Sequence, residues 1–197
     1  MKVDVVIPRH NEKAIIGMAK KLGYDALILL YPFEKLKQLK QVAHPEVKLL
    51  YGCLISKQKP KGVKFTAAPN PNRHTFEKLK PNIVYQLELT KNKDKTHYRL
   101  SGLDDVSCKL AAENDIAIGF SFSSLLDSKL PRAVLLGRMA QNIRFCKKFK
   151  LKMVLASFAC QPYDMRSPHD LKALGISLGM TPIEAKMSIE SLSACFE

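Results

Sequence analysis

No apolar run in this sequence approaches the roughly 20 residues that a membrane span needs. The opening Met1-Lys2-Val3-Asp4-Val5-Val6-Ile7 alternates too tightly, and is too short, to be the apolar region of a signal peptide. The expectation is therefore a soluble, cytoplasmic protein with no membrane association. Low-complexity tracts and repeats of fixed period are missing as well, so a repeat architecture is not indicated. Cysteines number five (Cys53, Cys108, Cys146, Cys160 and Cys195), an odd count with no two close in sequence. That excludes a C-x-x-C metal pair and does not suit a disulfide framework. It fits reduced thiols in a cytosolic core.

Charge is what the chain has in excess. Lys and Arg total 32 against 18 Asp and Glu, a net of +14. The surplus is confined to two windows. Residues 35–99 carry 15 basic and 4 acidic side chains, and residues 129–152 carry 8 basic and none acidic. Such confinement points to a surface that meets a polyanion. The competing reading is plain surface decoration, since Lys outnumbers Arg and Arg is the more specific phosphate reader.

With 46% apolar residues in 197, the chain can build one domain, residues 1–197, and is marginal for two. Near-continuous apolar runs at Val3–Pro8, Asp25–Leu30, Lys48–Ile55, Val63–Ala68, Ile83–Leu89, Ile116–Phe122 and Lys152–Phe158 predict strands buried on both faces. Helices are expected between them at Glu12–Leu22, Phe33–Val42, Thr75–Leu79, Leu103–Glu113, Pro131–Phe149, Pro168–Leu178 and Pro182–Leu192. Thr181-Pro182-Ile183-Glu184 spells a capping box, and Ser167-Pro168-His169-Asp170 and Ser101-Gly102-Leu103-Asp104 follow the same plan. Gly179 suits the stop of the Pro168 helix. Alternating strands and helices predict an α/β fold, a small TIM-like (β/α) barrel of about seven parallel strands, slightly incomplete. An open doubly wound sheet is the rival, and periodicity does not separate the two.

At 100° per residue, Leu135, Leu136, Met139, Ile143, Cys146 and Phe149 share one side of the long helix. Arg138, Gln141, Arg144 and Lys148 fall on the other, facing water or a partner. Lys147, Lys148, Lys150 and Lys152 also sit where a helix C-terminus favours cations.

In strand-helix barrels, catalytic groups gather at the C-terminal ends of strands. Here those ends carry Arg9 and His10, Tyr31 and Pro32, Glu88, Ser121, Ser123 and Ser124, and Cys160 with Gln161. There is no H-x-H, H-E-x-x-H, G-x-S-x-G or phosphate-loop sequence. No catalytic residue, metal ligand or cofactor is assigned. A basic barrel without these groups fits binding better than catalysis. Two alternatives stay open: a metal-dependent phosphoesterase built on Asp4, His10 and Glu88, and an interaction module for acidic proteins.

The stretch Tyr163-Asp164-Met165-Arg166-Ser167-Pro168-His169-Asp170-Leu171, continuing Leu174-Gly175 and Leu178-Gly179-Met180, resembles archaeal RNase P protein component 3, counterpart of the thirty-kilodalton eukaryotic subunit. Ile116–Ser121, Leu130-Pro131-Arg132-Ala133, and the strand ending Ala156-Ser157-Phe158-Ala159 keep the same order of elements. The likeness covers about residues 116–190; upstream it is one of layout only. It implies a metallohydrolase-like barrel whose metal site has decayed, in a ribonucleoprotein endonuclease of tRNA processing whose catalyst is the RNA. The polypeptide alone is then not catalytic. The implied partners are RNase P RNA, protein component 2 in a heterotetramer, and other RNase P proteins. Within the motif, Ser167 and Pro168 also read as a helix start. Arg166 reads as bonded back to rim carbonyls or to Asp164, or else as reaching a phosphate.

The function expected is a sequence-tolerant phosphate clamp on folded RNA. Its candidate RNA-binding residues are Arg9, Arg73, Arg99, Arg132, Arg138, Arg144, Lys148 and Arg166. Aromatics seldom interleave with these cations, which argues against stacking on single strands.

Overall fold

Strand side chains alternate between two faces, so a strand buried on both loses the polar half of that alternation, and the seven runs above are near-continuously apolar. In the computed structural model, which describes residues 1–39, 44–90 and 93–196, each forms a strand. They are β1 (Val3–Val6), β2 (Ala26–Pro32), β3 (Lys48–Leu54), β4 (Thr66–Pro69), β5 (Ile83–Tyr85), β6 (Ala117–Ser121) and β7 (Met153–Ala156). The helices are α1 (Glu12–Leu22), α2 (Phe33–Gln38), α3 (Asp105–Glu113), α4 (Ser123–Asp127), α5 (Arg132–Phe149), α6 (Pro168–Ser177) and α7 (Pro182–Glu190). None is long and apolar enough to cross a membrane, among the described residues.

The strands are parallel and stand in chain order, β1 to β7, with no reversal. Val6, the last residue of β1, bridges to Ala159 just past β7; the Ile7 N–H donates to the Ala159 carbonyl at 2.9 Å and the Phe158 N–H to the Val5 carbonyl at 2.8 Å. β1 and β7 therefore meet, and the sheet is a nearly closed barrel, not the open rival. Its inside is filled. Val3, Val5, Ile28, Leu30, Ile83 and Tyr85 point inward, and Tyr85 stacks on Phe158 with ring centroids 4.2 Å apart. Alternate residues such as Val6, Leu27 and Leu29 face the helices.

Helix starts follow local chemistry in two places and depart from it in a third. Thr181 and Glu184 form the reciprocal capping box, and the Ser167 hydroxyl accepts from the Asp170 N–H at 3.1 Å. Gly179, at φ +105°, follows α6 in a conformation that side chains disfavour. The cap of α3 is Asp104, not Ser101: its carboxylate accepts from the Ser107 N–H at 2.7 Å. Ser101 is buried under α5 instead. The expected strand through Leu89 ends at Tyr85, because Gln86 turns left-handed at φ 63° and leads into a short 3-10 turn. The far end of the expected Phe33–Val42 helix lies outside the described residues.

Candidate nucleic-acid interface

The longest helix, α5, contains no acidic residue. Its apolar stripe packs as expected: Leu135, Met139, Ile143 and Cys146 are buried. Its polar side divides in two. Toward the start, it holds down the segment between β5 and α3. Further along, it faces solvent.

Arg138 does the holding, and this corrects its expected place on the exposed face. It is only 2% exposed. Its guanidinium donates to the Glu88 carbonyl at 2.9 Å and the Thr90 carbonyl at 3.0 Å. It pairs with Asp94 through Nε at 2.9 Å and Nη2 at 2.8 Å. Burial works to raise the Asp94 carboxyl, but Arg138 and the Leu100 N–H outweigh it and hold Asp94 below the ordinary carboxylate range. Gln141 donates to the Arg99 carbonyl at 2.8 Å, and Asn142 to the Ser101 carbonyl at 2.9 Å. The backbone at Glu88, Thr90, Arg99 and Ser101 is thus held by three side chains of one helix.

Pinned this way, the segment turns its own side chains outward. Lys95, His97, Tyr98 and Arg99 join Arg144 and Lys148 around a groove of about 630 Å³. Arg99 lies against the helix at Gly137. A Cβ there would stand 2.7 Å from its Nε, so the glycine gives the guanidinium its seat. Lys148 is exposed and bonds Asp105 at 3.0 Å. A second cavity of about 510 Å³ adjoins the first and shares Tyr98, Arg99, Gln141 and Phe145 with it. Four cations around an open groove can neutralise several phosphates of one backbone.

Three of the eight expected residues, Arg99, Arg144 and Lys148, therefore come together. Arg9, Arg73 and Arg132 are exposed but separate from the groove, and Arg73 is paired with Glu77 at 2.7 Å. Arg166 is half-buried. It donates to the Tyr163 and Met165 carbonyls at 2.8 and 2.7 Å, rather than to Asp164, and lies 4.6 Å over the Phe122 ring. The Tyr24 hydroxyl holds the Arg166 carbonyl at 2.8 Å. The motif that carries the resemblance is thus built into the barrel rim. Lys95, His97 and Tyr98 were not singled out by the sequence. Lys95 falls in the first basic window, but nothing in a sequence says which helix a loop will lie on.

The residues of a phosphoesterase are scattered. Asp4, fully buried, sits on the outer face of β1 and accepts from the Ser157 N–H at 2.7 Å, the Ser157 hydroxyl at 2.6 Å and the Val5 N–H at 2.9 Å. It closes the seam between β1 and β7. Burial pushes its carboxyl up to about 6, against the pull of the Ser157 bonds. His10 is exposed at φ 63°. Glu88 is buried beside the Ser124 hydroxyl, neither group makes a hydrogen bond of good geometry, and burial pushes the carboxyl up to about 7 against the weaker pull of Ser124. Among the described residues, no three His, Cys, Asp or Glu side chains gather where they could hold a metal ion.

Residues 69–195 match the model of the family described as RNase P subunit p30. The chain belongs to that family. The matched stretch contains the whole groove, including Arg99, Arg144 and Lys148. Relatives include ribonuclease P protein component 3 of Methanosarcina barkeri, 30% identical over 191 residues that cover 88% of this chain and 77% of the relative. The protein of the same name from Methanothermobacter thermautotrophicus is 26% identical, over 89% of this chain and 79% of its own. That from Thermococcus kodakarensis is 36% identical over 45% of this chain and 40% of its own length. A chain in a solved structure described as archaeal ribonuclease P with mature tRNA superposes with a TM-score of 0.75 and 22% identity, over 97% of this chain and 89% of that one. At that identity the superposition speaks for the fold.

Proposed function

We propose that this chain is a protein subunit of ribonuclease P, and that it binds and stabilises the catalytic RNA as the leader is removed from precursor tRNA. The observation that carries the reading is the groove. Arg99, Arg144, Lys148 and Lys95 converge on a loop that buried Arg138 holds in place, inside the stretch that the family model matches. Arg9, Arg73, Arg132 and Arg166 are outlying contacts along the same RNA. Arg138 leaves the set, because a guanidinium with its donors spent on carbonyls and Asp94 has no face for a phosphate. The enzyme is the holoenzyme, an endoribonuclease, and its reacting groups belong to the RNA. We further propose one domain over residues 1–197, a cytoplasmic location, and assembly with protein component 2 as a heterotetramer beside other RNase P proteins.

The decisive experiment is reconstitution of precursor-tRNA cleavage with the catalytic RNA and the other protein components, with and without this chain. Cleavage that is unchanged when the chain is omitted removes the proposal. Filter binding to RNase P RNA adds a physical check. A clamp of six to ten phosphate contacts loses roughly 10³–10⁵ in affinity between 50 and 200 mM salt. Binding that ignores salt argues against it.

A further inference from the structure

Tyr98 is an exposed aromatic of the basic groove that a phosphate clamp does not use; Phe145, which also lines the groove, is half-buried. Tyr98 is 57% exposed, and the backbone on either side of it is bonded. The turn that carries it is closed by the Lys95 N–H donating to the Tyr98 carbonyl at 2.9 Å, and the next carbonyl, of Arg99, is held by Gln141 at 2.8 Å. An exposed aromatic on a floppy loop has no defined task. An exposed aromatic on a clamped loop is a preset platform, because the entropy of ordering it was already lost on folding. Tyr98 also stands at the junction of two cavities. On one side are Lys95, Arg144 and Lys148, and on the other Gly102, Asp104 and Asp105. The first side suits phosphates. The second is hostile to phosphates: Asp104 caps α3 through the Ser107 N–H and Asp105 pairs with Lys148, and the carboxylate oxygens not spent on those bonds can accept from the amino edge of a base. The two cavities, about 630 and 510 Å³, leave room for a nucleotide and its neighbours.

From this arrangement we infer that the groove takes an unpaired RNA nucleotide, with its base stacked on Tyr98 and its flanking phosphates on Arg144, Lys148 and Lys95. The inference rests on the RNA-binding reading above and narrows it, from folded RNA in general to a single-stranded or bulged element. A-form duplex keeps its bases stacked on one another and offers none to the ring, whereas loops and bulges do. The aromatic adds affinity without sequence preference, and the cations supply the salt dependence.

The test uses the full chain with two fluorescent RNAs, a 12-nucleotide single strand carrying one 2-aminopurine and the same strand in a duplex. The single strand is expected to bind the wild type with quenching of the 2-aminopurine. Tyr98→Ala should weaken single-strand binding by about ten- to a hundredfold and abolish the quenching, with the slope of affinity against salt unchanged. Tyr98→Phe should behave as wild type, which separates stacking from any role of the hydroxyl. Duplex affinity should be the same in all three proteins. Arg144→Ala should keep the quenching and lower the salt slope by about one contact. Quenching and affinity unchanged in Tyr98→Ala would overturn the inference while leaving the RNA-binding reading intact. Equal losses on single strand and duplex would overturn it too. Absence of salt-sensitive binding to either RNA would remove both.

Discussion

Replacing Arg138 distinguishes a structural cation from an RNA contact, and the structure sets the size of the effect. Arg138→Ala takes a donor from the Glu88 and Thr90 carbonyls and leaves Asp94 without its guanidinium. A lost hydrogen bond in a buried setting costs about 1 kcal/mol or more, and a charged one about 1.5–3 kcal/mol. Asp94 is 24% exposed, so water recovers part of the second sum. The total comes to about 3–5 kcal/mol, in the range for breaking a buried pair. For a chain of this size each kcal/mol moves the melting temperature by about 2–4 °C, so a fall on the order of 10 °C is expected. Arg138→Lys keeps the charge but offers a point donor in place of a planar fork, and should recover less than half. Thermal and urea unfolding of the three proteins measure this directly. The opposing expectation, a phosphate contact on an exposed helix face, predicts a stable Arg138→Ala with an RNA salt slope lower by about one. That pair of results would refute the anchoring role.

Three other outcomes follow from the geometry. Asp4→Ala should cost about 2–4 kcal/mol by chemical denaturation, since it strands the buried N–H and hydroxyl of Ser157, whereas Asp4→Asn should cost less. Glu88 is raised to about 7 in the folded chain from an ordinary 4.5, so its protonated form is favoured on folding. Its contribution is full below pH 4.5 and is lost as pH rises through 7, on the order of 3 kcal/mol in all. Glu88→Gln should therefore leave stability at pH 4.5 nearly unchanged and raise it at pH 8, and a variant no more stable than wild type at pH 8 would count against a buried acid without a well-formed hydrogen bond. Gly137→Ala should hold or raise stability by up to about 1 kcal/mol through helix propensity while displacing Arg99 and lowering RNA affinity several-fold.

All seven strands were legible as near-continuous apolar runs, because burial on both faces removes most of the polar alternation. Caps at Thr181 and Ser167 were legible for a similar reason: the chemistry lies within four residues. Ser101 spells the same signal, yet the helix starts at Asp104, because Ser101 is drawn under α5 by Gln141 and Asn142. Those partners lie about 40 residues away, beyond any local pattern. Arg138 failed in the same manner. A helical wheel places it opposite the apolar stripe, and the wheel cannot show that a loop folds over that side. The short helix α4 has five residues and no room for a period. Tyr98 has Lys95 and Arg99 beside it in the sequence, but it meets Arg144 and Lys148 only when the loop docks on α5.

The seam at β1 and β7 has a consequence for how this barrel tolerates change. Six of its joints are runs of backbone pairing, whose bonds do not pass through side chains. The seventh is one short bridge with two backbone bonds, and the carboxylate of Asp4 and the hydroxyl of Ser157 reinforce it. A backbone ladder depends little on its side chains, but a clasp made of two side chains can be undone by one altered codon. Missense variation should therefore be tolerated along most of the staves and purged at these two positions, outside the basic groove.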